Sequence, residues 1–344
     1  MTTPRSAVLA AALGVWPTGL AAQGRLVVRG VVSSDSAAVA YASVELGAGR
    51  RIFADASGAF VFPNVPPGNY RLSVRQVGYA PLDTTVNADS SAATILIALH
   101  HLPVRLRAIA VSADPRCHAG LGGGDDGNAD LPIILAQLFE NARRYQLLAD
   151  EYPFVYRMER AASEIGAQEN TTWQGIDTIT VRSDERLKYE PGRIFRPGLG
   201  PRGRPARVVQ VPQLADLADS TFSARHCFRY AGETALDGVA AVLVAFDARR
   251  PLLSFDVEGE AWLDARSWRL LRVGVRVVPA DALPDLLSIE VVADFREIQP
   301  NVLVPRRIFT LTRTAGFRRR PLGRQEEEQR LLTVHFLRPL GGLP

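Results

Sequence analysis

The chain of 344 residues is poor in lysine, cysteine and histidine. It contains one lysine, two cysteines and five histidines, and it has no His-x-x-Glu, His-Glu-x-x-His or Gly-x-Ser-x-Gly pattern. The histidine patterns bind the metal of zinc hydrolases, and the serine pattern carries the nucleophile of α/β-hydrolases. We therefore expect no metal, no cofactor and no enzyme activity.

Long apolar runs are missing after the first residues of the chain. Arg5 is followed by an apolar run over residues 7–15 and by the small residues Ala21-Ala22, a pattern typical of a secretory signal peptide at residues 1–22. No later stretch reaches the roughly 20 apolar residues that a membrane-spanning helix needs. The sequence thus predicts an exported protein that is periplasmic or associated with the outer membrane.

The two cysteines, Cys117 and Cys227, would enter an oxidising compartment on export. Two cysteines without a third competitor most simply form a disulfide, which would tie the interdomain linker to the C-terminal domain. A zinc site is the alternative, because His118 and His226 are adjacent to the cysteines. Neighbouring residues rarely both reach one ion and the usual Cys-x-x-Cys spacing is missing, so we favour the disulfide.

Arginine supplies nearly all of the positive charge, and the net charge is +4. Guanidinium groups bind phosphates, so an anionic membrane surface is a candidate partner, with solvated hairpin tips as the alternative. No interleaved aromatic platform supports nucleic acid as a partner, and we expect none. The candidate contact residues are Arg193, Arg196, Arg202, Arg204, Arg318, Arg319 and Arg320.

Residues 52–79 combine two alternating strand patterns with two turns. Asp55 and Gly58 suit the first and fourth positions of a type I turn, and Pro67-Gly68 suits the centre of a type II turn. Each strand pattern has one apolar face, because apolar residues recur at every second position. These residues are Phe60 and Phe62, then Tyr70, Leu72 and Val74. The first third of the chain is therefore predicted to be a β-sandwich.

Several features, in this order, resemble the carboxypeptidase regulatory-like family, a transthyretin-like β-sandwich of the seven-stranded type. They are the strand around Gly30, Asp55 with Gly58, Phe60 with Phe62, residues 65–70 and Gly78-Tyr79. The resemblance covers residues 24–102 and implies an accessory module at residues 24–112, without peptidase chemistry. Modules of this family often follow a secretion signal in exported bacterial proteins and outer-membrane receptors.

Residues 113–130, rich in glycine and aspartate, are expected to link this module to a second domain at residues 131–344. Asp130 and Pro132 suit the start of a helix, whose apolar period continues to about residue 150. The expected fold is mainly β: the sandwich, then a curved antiparallel sheet (an open barrel) packed on this one long helix. A shorter helix is predicted at residues 212–218, and strands at 154–160, 171–182, 187–195, 228–232, 239–247, 257–264, 268–278, 289–298, 304–313 and 331–338.

One hairpin allows its register to be predicted. A three-residue loop at 265–267 keeps the apolar faces of both strands together and places Glu260 opposite Arg272 and Asp256 opposite Arg276. Glu258 and Glu260 could otherwise be the paired carboxylates of a glycosidase. Arginines opposite the acids would keep them ionised, whereas a general acid needs a raised pKa. We therefore favour cross-strand ion pairs over catalysis.

The strand at residues 239–247 is apolar on both faces, and the C-terminal strand repeats this pattern. The second face of this strand needs an apolar neighbour, which could be the sandwich, a partner protein or an apolar ligand. Ordinary burial between the layers of the protein is the alternative, and we favour it slightly. Residues 230–249, followed by Gly259-Glu260-Ala261-Trp262-Leu263-Asp264, resemble LolA/LolB-like periplasmic lipoprotein carriers. This resemblance implies a curved sheet and a helix that enclose an apolar cavity for acyl chains.

The sequence as a whole favours a non-catalytic exported envelope protein, with the sandwich as scaffold and the curved sheet as the binder of a lipid or another apolar ligand. The alternative is a structural or interaction adaptor of an outer-membrane complex, with no ligand pocket. A hydrolase is the least favoured class. The expected partners are a lipid or apolar ligand, an outer-membrane or envelope protein, and peripheral contact with the membrane.

Overall fold

The computed structural model describes residues 25–35, 37–89, 94–102, 131–185, 188–190, 192–199, 205–249, 252, 254–279, 285–299, 302–316 and 321–338. For residues 199, 205–208 and 321 it describes the backbone alone. The predicted signal peptide at residues 1–22 and the predicted linker at 113–130 lie outside these ranges.

The first part of the chain forms two small sheets that face each other. Their strands, in chain order, are β1 (Leu26–Ser34), β2 (Ala37–Ala38), β3 (Ser43–Leu46), β4 (Arg50–Phe53), β5 (Ala59–Val65), β6 (Gly68–Arg75), β7 (Leu82–Ala88) and β8 (Ile95–Ala98). One sheet has the order β2-β1-β5 with β8 parallel to β1, and the other has the order β4-β3-β6-β7. Alternate residues of most of these strands meet between the sheets, which confirms the predicted β-sandwich.

The predicted turn at Asp55 is present and fixes the connection from β4 to β5. The carboxylate of Asp55 accepts hydrogen bonds from the backbone nitrogens of Ser57 (2.8 Å) and Ala59 (2.9 Å). Gly58 has φ +78°, and a Cβ atom there would lie 2.3 Å from the backbone oxygen of Val32. Both the backbone angle and the lack of space therefore require glycine at this position.

The second part of the chain begins with the predicted long helix, α1 (Leu131–Glu151). It is followed by β9 (Phe154–Gly166), β10 (Thr171–Arg182), β11 (Phe195–Leu199), β12 (Pro205–Val209), the helix α2 (Ser220–Arg225), β13 (His226–Leu236), β14 (Val239–Ala248), β15 (Asp256–Asp264), β16 (Leu270–Val278), β17 (Leu286–Gln299), β18 (Val302–Ala315) and β19 (Pro321–Phe336). Two 3-10 helices lie at Ser183–Glu185 and Leu214–Ala218, the second where a short helix is predicted.

Nine of these strands form one antiparallel sheet in the order β10-β9-β19-β18-β17-β16-β15-β14-β13. The last strand, β19, pairs with β9, so the sheet is a meander with β9 and β10 joined to its C-terminal side. β10 and β13 do not pair with each other, so the sheet stays open between these two edges. The predicted curved antiparallel sheet packed on one long helix is confirmed.

Some predicted boundaries are wrong. The strand predicted at 187–195 is not formed by residues 188–190 or 192–194; a separate hairpin of β11 and β12 follows instead. The C-terminal strand begins at Pro321 rather than at residue 331, and α2 has no counterpart among the predicted elements. The charged first half of β19 lacks apolar alternation, which hides it from a search for alternating strands.

The predicted register of the hairpin β15–β16 is also wrong. Glu258 pairs with Arg276, and Glu260 pairs with Gly274 instead of Arg272. The loop covers residues 265–269 rather than three residues, and the register shifts between Trp262 and Leu263. The faces are nevertheless as predicted, because a shift of two residues does not invert a strand.

Helix α1 fills the inner face of the nine-stranded sheet. Ile134, Leu138 and Ala142 are fully buried, and they belong to one apolar cluster with the inner face of the sheet. Between β10 and β13 this cluster also includes Tyr189, Ile194, Leu214, Ala215, Leu217 and Phe222. The apolar period of α1 is thus explained by packing against the sheet. On β14, Val242, Val244 and Phe246 face this cluster.

Candidate functional site

An open trough lies on the outer face of the nine-stranded sheet, away from α1. It has a volume of about 520 Å³ and crosses β10, β9, β19 and β18. Ala161 of β9 pairs with Ile176 of β10 and with Glu328 of β19, and Glu328 pairs with Phe309 of β18. Directly paired residues lie on one face of a sheet, so these four side chains form one row. We call this space the outer trough.

The trough exists because β9, the strand next to β10, carries small residues. Ala161 and Ser163 of β9 form the floor, and Ile176 of β10 and Phe309 of β18 rise on either side. Met158 lies on the same strand but on the opposite face, where it is fully buried against the apolar cluster of α1. The outer trough is therefore separated from the protein core by the thickness of the sheet.

Arginines neutralise the two acids of the outer trough. Glu328 accepts hydrogen bonds from Arg307 and, at 2.7 Å, from Arg330, and Arg324 donates to Glu326 at 2.6 Å. Burial alone would raise the pKa of Glu328, but the hydrogen bonds from these arginines hold it below its usual value. The carboxylate of Glu328 is thus stable as an anion at neutral pH, which does not suit a general acid.

The inner face of the sheet offers far less space at the point where α1 meets the sandwich. A void of about 10 Å³ lies between Phe53 of β4 and Tyr145 and Leu148 of α1, which is room for about one water molecule. The ligand cavity that we expected between sheet and helix is occupied here by side chains of α1. The space that could take a larger ligand lies on the other side of the sheet.

A buried polar contact joins the sandwich to α1. Arg144 of α1 donates from Nη1 to the side-chain oxygen of Gln76 (2.6 Å) and from Nη2 to the backbone oxygen of Tyr41 (2.6 Å). Its guanidinium also lies 5.0 Å from the ring centre of Phe53. Burial lowers the pKa of Arg144 to about 10, although Glu140 attracts its charge. Burial likewise raises the pKa of Glu140, and Arg144 opposes that shift.

Two amide side chains of α1 complete this contact. The side-chain oxygen of Gln137 accepts a hydrogen bond from the backbone nitrogen of Gly78 in the sandwich, at 2.7 Å. Asn141 donates to the backbone oxygen of Trp268 (2.9 Å) and accepts from the backbone nitrogen of Leu270 (3.0 Å) in the β15–β16 hairpin. Helix α1 therefore holds both the sandwich and the nine-stranded sheet through buried hydrogen bonds, which fix one relative orientation.

A second buried polar cluster surrounds His226 at the start of β13. Its Nδ1 lies 2.8 Å from the backbone oxygen of Phe222, and its Nε2 lies 2.9 Å from that of Val257 and 3.3 Å from Asp256. The hydroxyl of Tyr189 donates to Asp256, and the ring of Phe222 stacks on the imidazole. Burial raises the pKa of Tyr189. Both imidazole nitrogens are thus engaged with oxygen atoms, which leaves neither directed at a metal.

The sequence-based site residues fall in different places. Cys227 follows His226 on β13, but Cys117 lies outside the described residues, so the disulfide stays a prediction. Arg193 and Arg196 both lie near Glu190, at 2.7 and 3.7 Å, so a local acid offsets part of their charge. Arg202, Arg204, Arg318, Arg319 and Arg320 lie outside the described residues. The anionic surface contact therefore also stays a prediction.

No group of three or more histidine, cysteine, aspartate or glutamate side chains in the described part of the chain is placed to hold a metal ion. None of the described helices is long and apolar enough to cross a membrane.

The sandwich is similar to a known family of domains. The family model of the carboxypeptidase regulatory-like domain matches residues 27–100, which confirms the resemblance found in that segment. No curated protein matches the chain.

Solved structures similar to the chain include a LolA superfamily protein from Nitrosomonas europaea (11% identity, 60% of this chain and 94% of that chain, TM-score 0.34). They also include a putative outer membrane lipoprotein-sorting protein domain from Vibrio parahaemolyticus (12%, 60% and 94%, TM-score 0.34) and a DUF1329 family protein from Desulfovibrio piger (9%, 59% and 93%, TM-score 0.32). The first two are of the lipoprotein-carrier kind that residues 230–249 and 259–264 resemble. At these scores the similarity supports no conclusion about function.

Proposed function

We propose that the protein is a non-catalytic exported protein of the bacterial envelope, in the periplasm or at the outer membrane, that binds an apolar ligand in the outer trough. The observation that carries this proposal is the trough itself, whose 520 Å³ falls within the range of about 300–1,000 Å³ that is typical of ligand sites. The sandwich serves as a scaffold that α1 holds in place.

The chemistry of the outer trough favours a ligand with an apolar body and an anionic end. Ala161, Ile176 and Phe309 supply apolar surface, and Ile176 is 75% exposed without a ligand. Burying such surface stabilises a complex by about 25 cal/mol per Å². Next to the trough, the side chain of Arg330 is 64% exposed and pairs with Glu328, which lines the trough. An acyl chain with a carboxylate or phosphate end has both features, because guanidinium binds such groups.

Native mass spectrometry of gently purified protein tests the proposal. We expect a population whose mass exceeds that of the chain by one lipid, and the lipid should disappear after extraction with organic solvent. A protein that carries no lipid, and that also fails to take up a fatty acid added after purification, would contradict it.

A second candidate is the adaptor of an outer-membrane complex, and exposed apolar residues of the sandwich favour it. Leu96 of β8 is 79% exposed and Val27 of β1 is 46% exposed, both on the outer face of one sheet. An outer-membrane partner would cover these side chains and bury their apolar surface. Flotation with outer-membrane vesicles tests it: the adaptor predicts that wild-type protein floats with the vesicles and that Leu96→Asp reduces this, whereas Leu322→Asp, at a second exposed leucine, does not.

A further inference from the structure

Strand β10 is an exposed edge of the nine-stranded sheet. It pairs with β9 on one side, and no other described strand pairs with its second side. Eight of its twelve residues are exposed, including Ile176. An edge of this kind presents a row of unpaired backbone N–H and C=O groups, which bind another extended polypeptide strand.

β10 lacks the features that usually prevent strand pairing. Its sequence, TTWQGIDTITVR, has no proline and no lysine, and its one negative charge, Asp177, is already paired with Arg160 of β9. Its pairing with β9 is regular from Trp173 to Arg182. The opposite edge of the sheet differs, because β13 contains an irregularity between Tyr230 and Gly232 that interrupts its edge.

We propose that two copies of this chain pair through β10, antiparallel, around a twofold axis at Ile176. The two nine-stranded sheets then form one continuous sheet across the axis. The occupant of the edge is a second copy because the strand is complementary to itself in this register, as the pairs across the axis show.

A twofold axis perpendicular to the sheet keeps the two faces of the sheet distinct. It therefore places even-numbered residues of one copy opposite even-numbered residues of the other, and odd-numbered residues opposite odd-numbered ones. With the axis at Ile176, this residue meets its own copy, Gln174 meets Thr178, and Trp173 meets Ile179 of the second copy. Gly175 meets Asp177, whose carboxylate accepts a hydrogen bond from Arg160 of its own chain, so no second acid lies opposite it. Apolar residues thus meet apolar residues on both faces of the sheet, and no like charges meet.

The neighbouring registers are less favourable. An axis at Asp177 places two carboxylates opposite each other, which is destabilising. An axis at Gly175 places Trp173 opposite Asp177 and Ile176 opposite Gln174. An axis at Thr178 places Asp177 opposite Ile179 and Ile176 opposite Thr180. Of the four registers, the one at Ile176 pairs Trp173 with an apolar residue without placing two carboxylates opposite each other.

The dimer brings two outer troughs side by side, because Ile176 lines the trough as well as the axis. The proposal does not depend on ligand binding, however. Ligand binding and dimer formation are measured by different experiments. A protein that binds a fatty acid but is monomeric contradicts only the dimer, and a protein that is dimeric but binds no fatty acid contradicts only the proposed function.

Light scattering coupled to size-exclusion chromatography measures the first consequence. Wild-type protein at micromolar concentration should have the mass of two chains. Ile176→Asp places two carboxylates at the axis and should weaken the dimer by about tenfold or more in Kd. The matched control is Val239→Asp, at an exposed valine of β14, which should leave the mass at two chains. A wild-type protein with the mass of one chain overturns the proposal.

Cysteine cross-linking tests the register even if Ile176→Asp misfolds. Ile176→Cys alone should cross-link to its own copy under mild oxidation, because residues directly opposite have Cβ atoms about 5 Å apart. Gln174→Cys alone should not, because two copies of residue 174 would be about 13 Å apart along the strands. A mixture of Gln174→Cys and Thr178→Cys should cross-link. Peptide mapping separates these links from those of the native cysteines, and a dimer that links in any other pattern overturns the proposal.

Discussion

Arg144 of α1 donates a hydrogen bond to the side-chain oxygen of Gln76 in the sandwich, 2.6 Å away, and both side chains are almost completely buried. A buried arginine is costly unless its donors are satisfied, and here the acceptors come from the other module. The sandwich is therefore part of the folding unit around α1 rather than a freely attached domain.

Arg144→Ala should lower the free energy of unfolding by about 3 to 5 kcal/mol, because it leaves the buried Glu140 without its positive partner. Chemical denaturation followed by fluorescence measures this change. Arg143→Ala is the matched control on the same helix, where the side chain is exposed, and should change the value by about 0.5 kcal/mol or less. Equal effects of the two variants would show that the buried contact contributes nothing specific.

Asp256 should make the protein sensitive to acid. Burial raises its pKa, but hydrogen bonds from His226 and Tyr189 outweigh this and hold the pKa below 3.8. A lowered pKa stabilises the fold above pH 3.8, and this contribution is lost as the pH falls through the folded-state pKa. Asp256→Asn should cost about 2 kcal/mol at pH 7 and should show a weaker loss of stability as the pH falls below about 4.

The measurement is the free energy of unfolding at a series of pH values, with Glu233→Gln as control. Glu233 is exposed on β13, so its substitution should leave the pH profile unchanged. An Asp256→Asn variant that keeps the full acid sensitivity of the wild type would contradict the assigned role of Asp256.

Gly58→Ala should destabilise the sandwich by more than about 2 kcal/mol. The positive φ costs an alanine about 1 kcal/mol, and the added Cβ would also meet the backbone oxygen of Val32. Gly49→Ala is the control, because Gly49 has φ +98° but no atom near the added Cβ. Thermal unfolding of both variants separates the effect of the backbone angle from the effect of the contact with Val32. Equal shifts in Tm would contradict a destabilising role of that contact.

The period of apolar residues predicted the sandwich, α1 and most strands of the nine-stranded sheet. It also predicted which face of β15 is buried, because Val257, Ala261 and Leu263 alternate with charged residues. The register of the same hairpin was not predictable in this way. It depends on a five-residue loop in which Trp268 adopts φ +61°, a conformation that no sequence pattern marks for tryptophan.

The outer trough could not be predicted because its walls come from distant parts of the chain. Ala161 and Glu328 become neighbours only when β19 pairs with β9, and the sequence shows β19 as an alternating strand only from residue 331 onward. The contact of Arg144 with Gln76 has the same origin, since a polar residue on α1 is compatible with solvent as well as with a second module. Long-range pairing, not local pattern, creates both sites.

Titration with a dansyl-labelled fatty acid tests the central claim, ligand binding in the outer trough, most directly. Wild-type protein should enhance the dansyl fluorescence with a saturable, micromolar Kd. Ala161→Trp fills the floor of the trough and should weaken binding by about tenfold or more, whereas Ala235→Trp, at an exposed alanine of β13, should not. Equal binding by all three proteins, or no saturable binding by the wild type, would contradict the account.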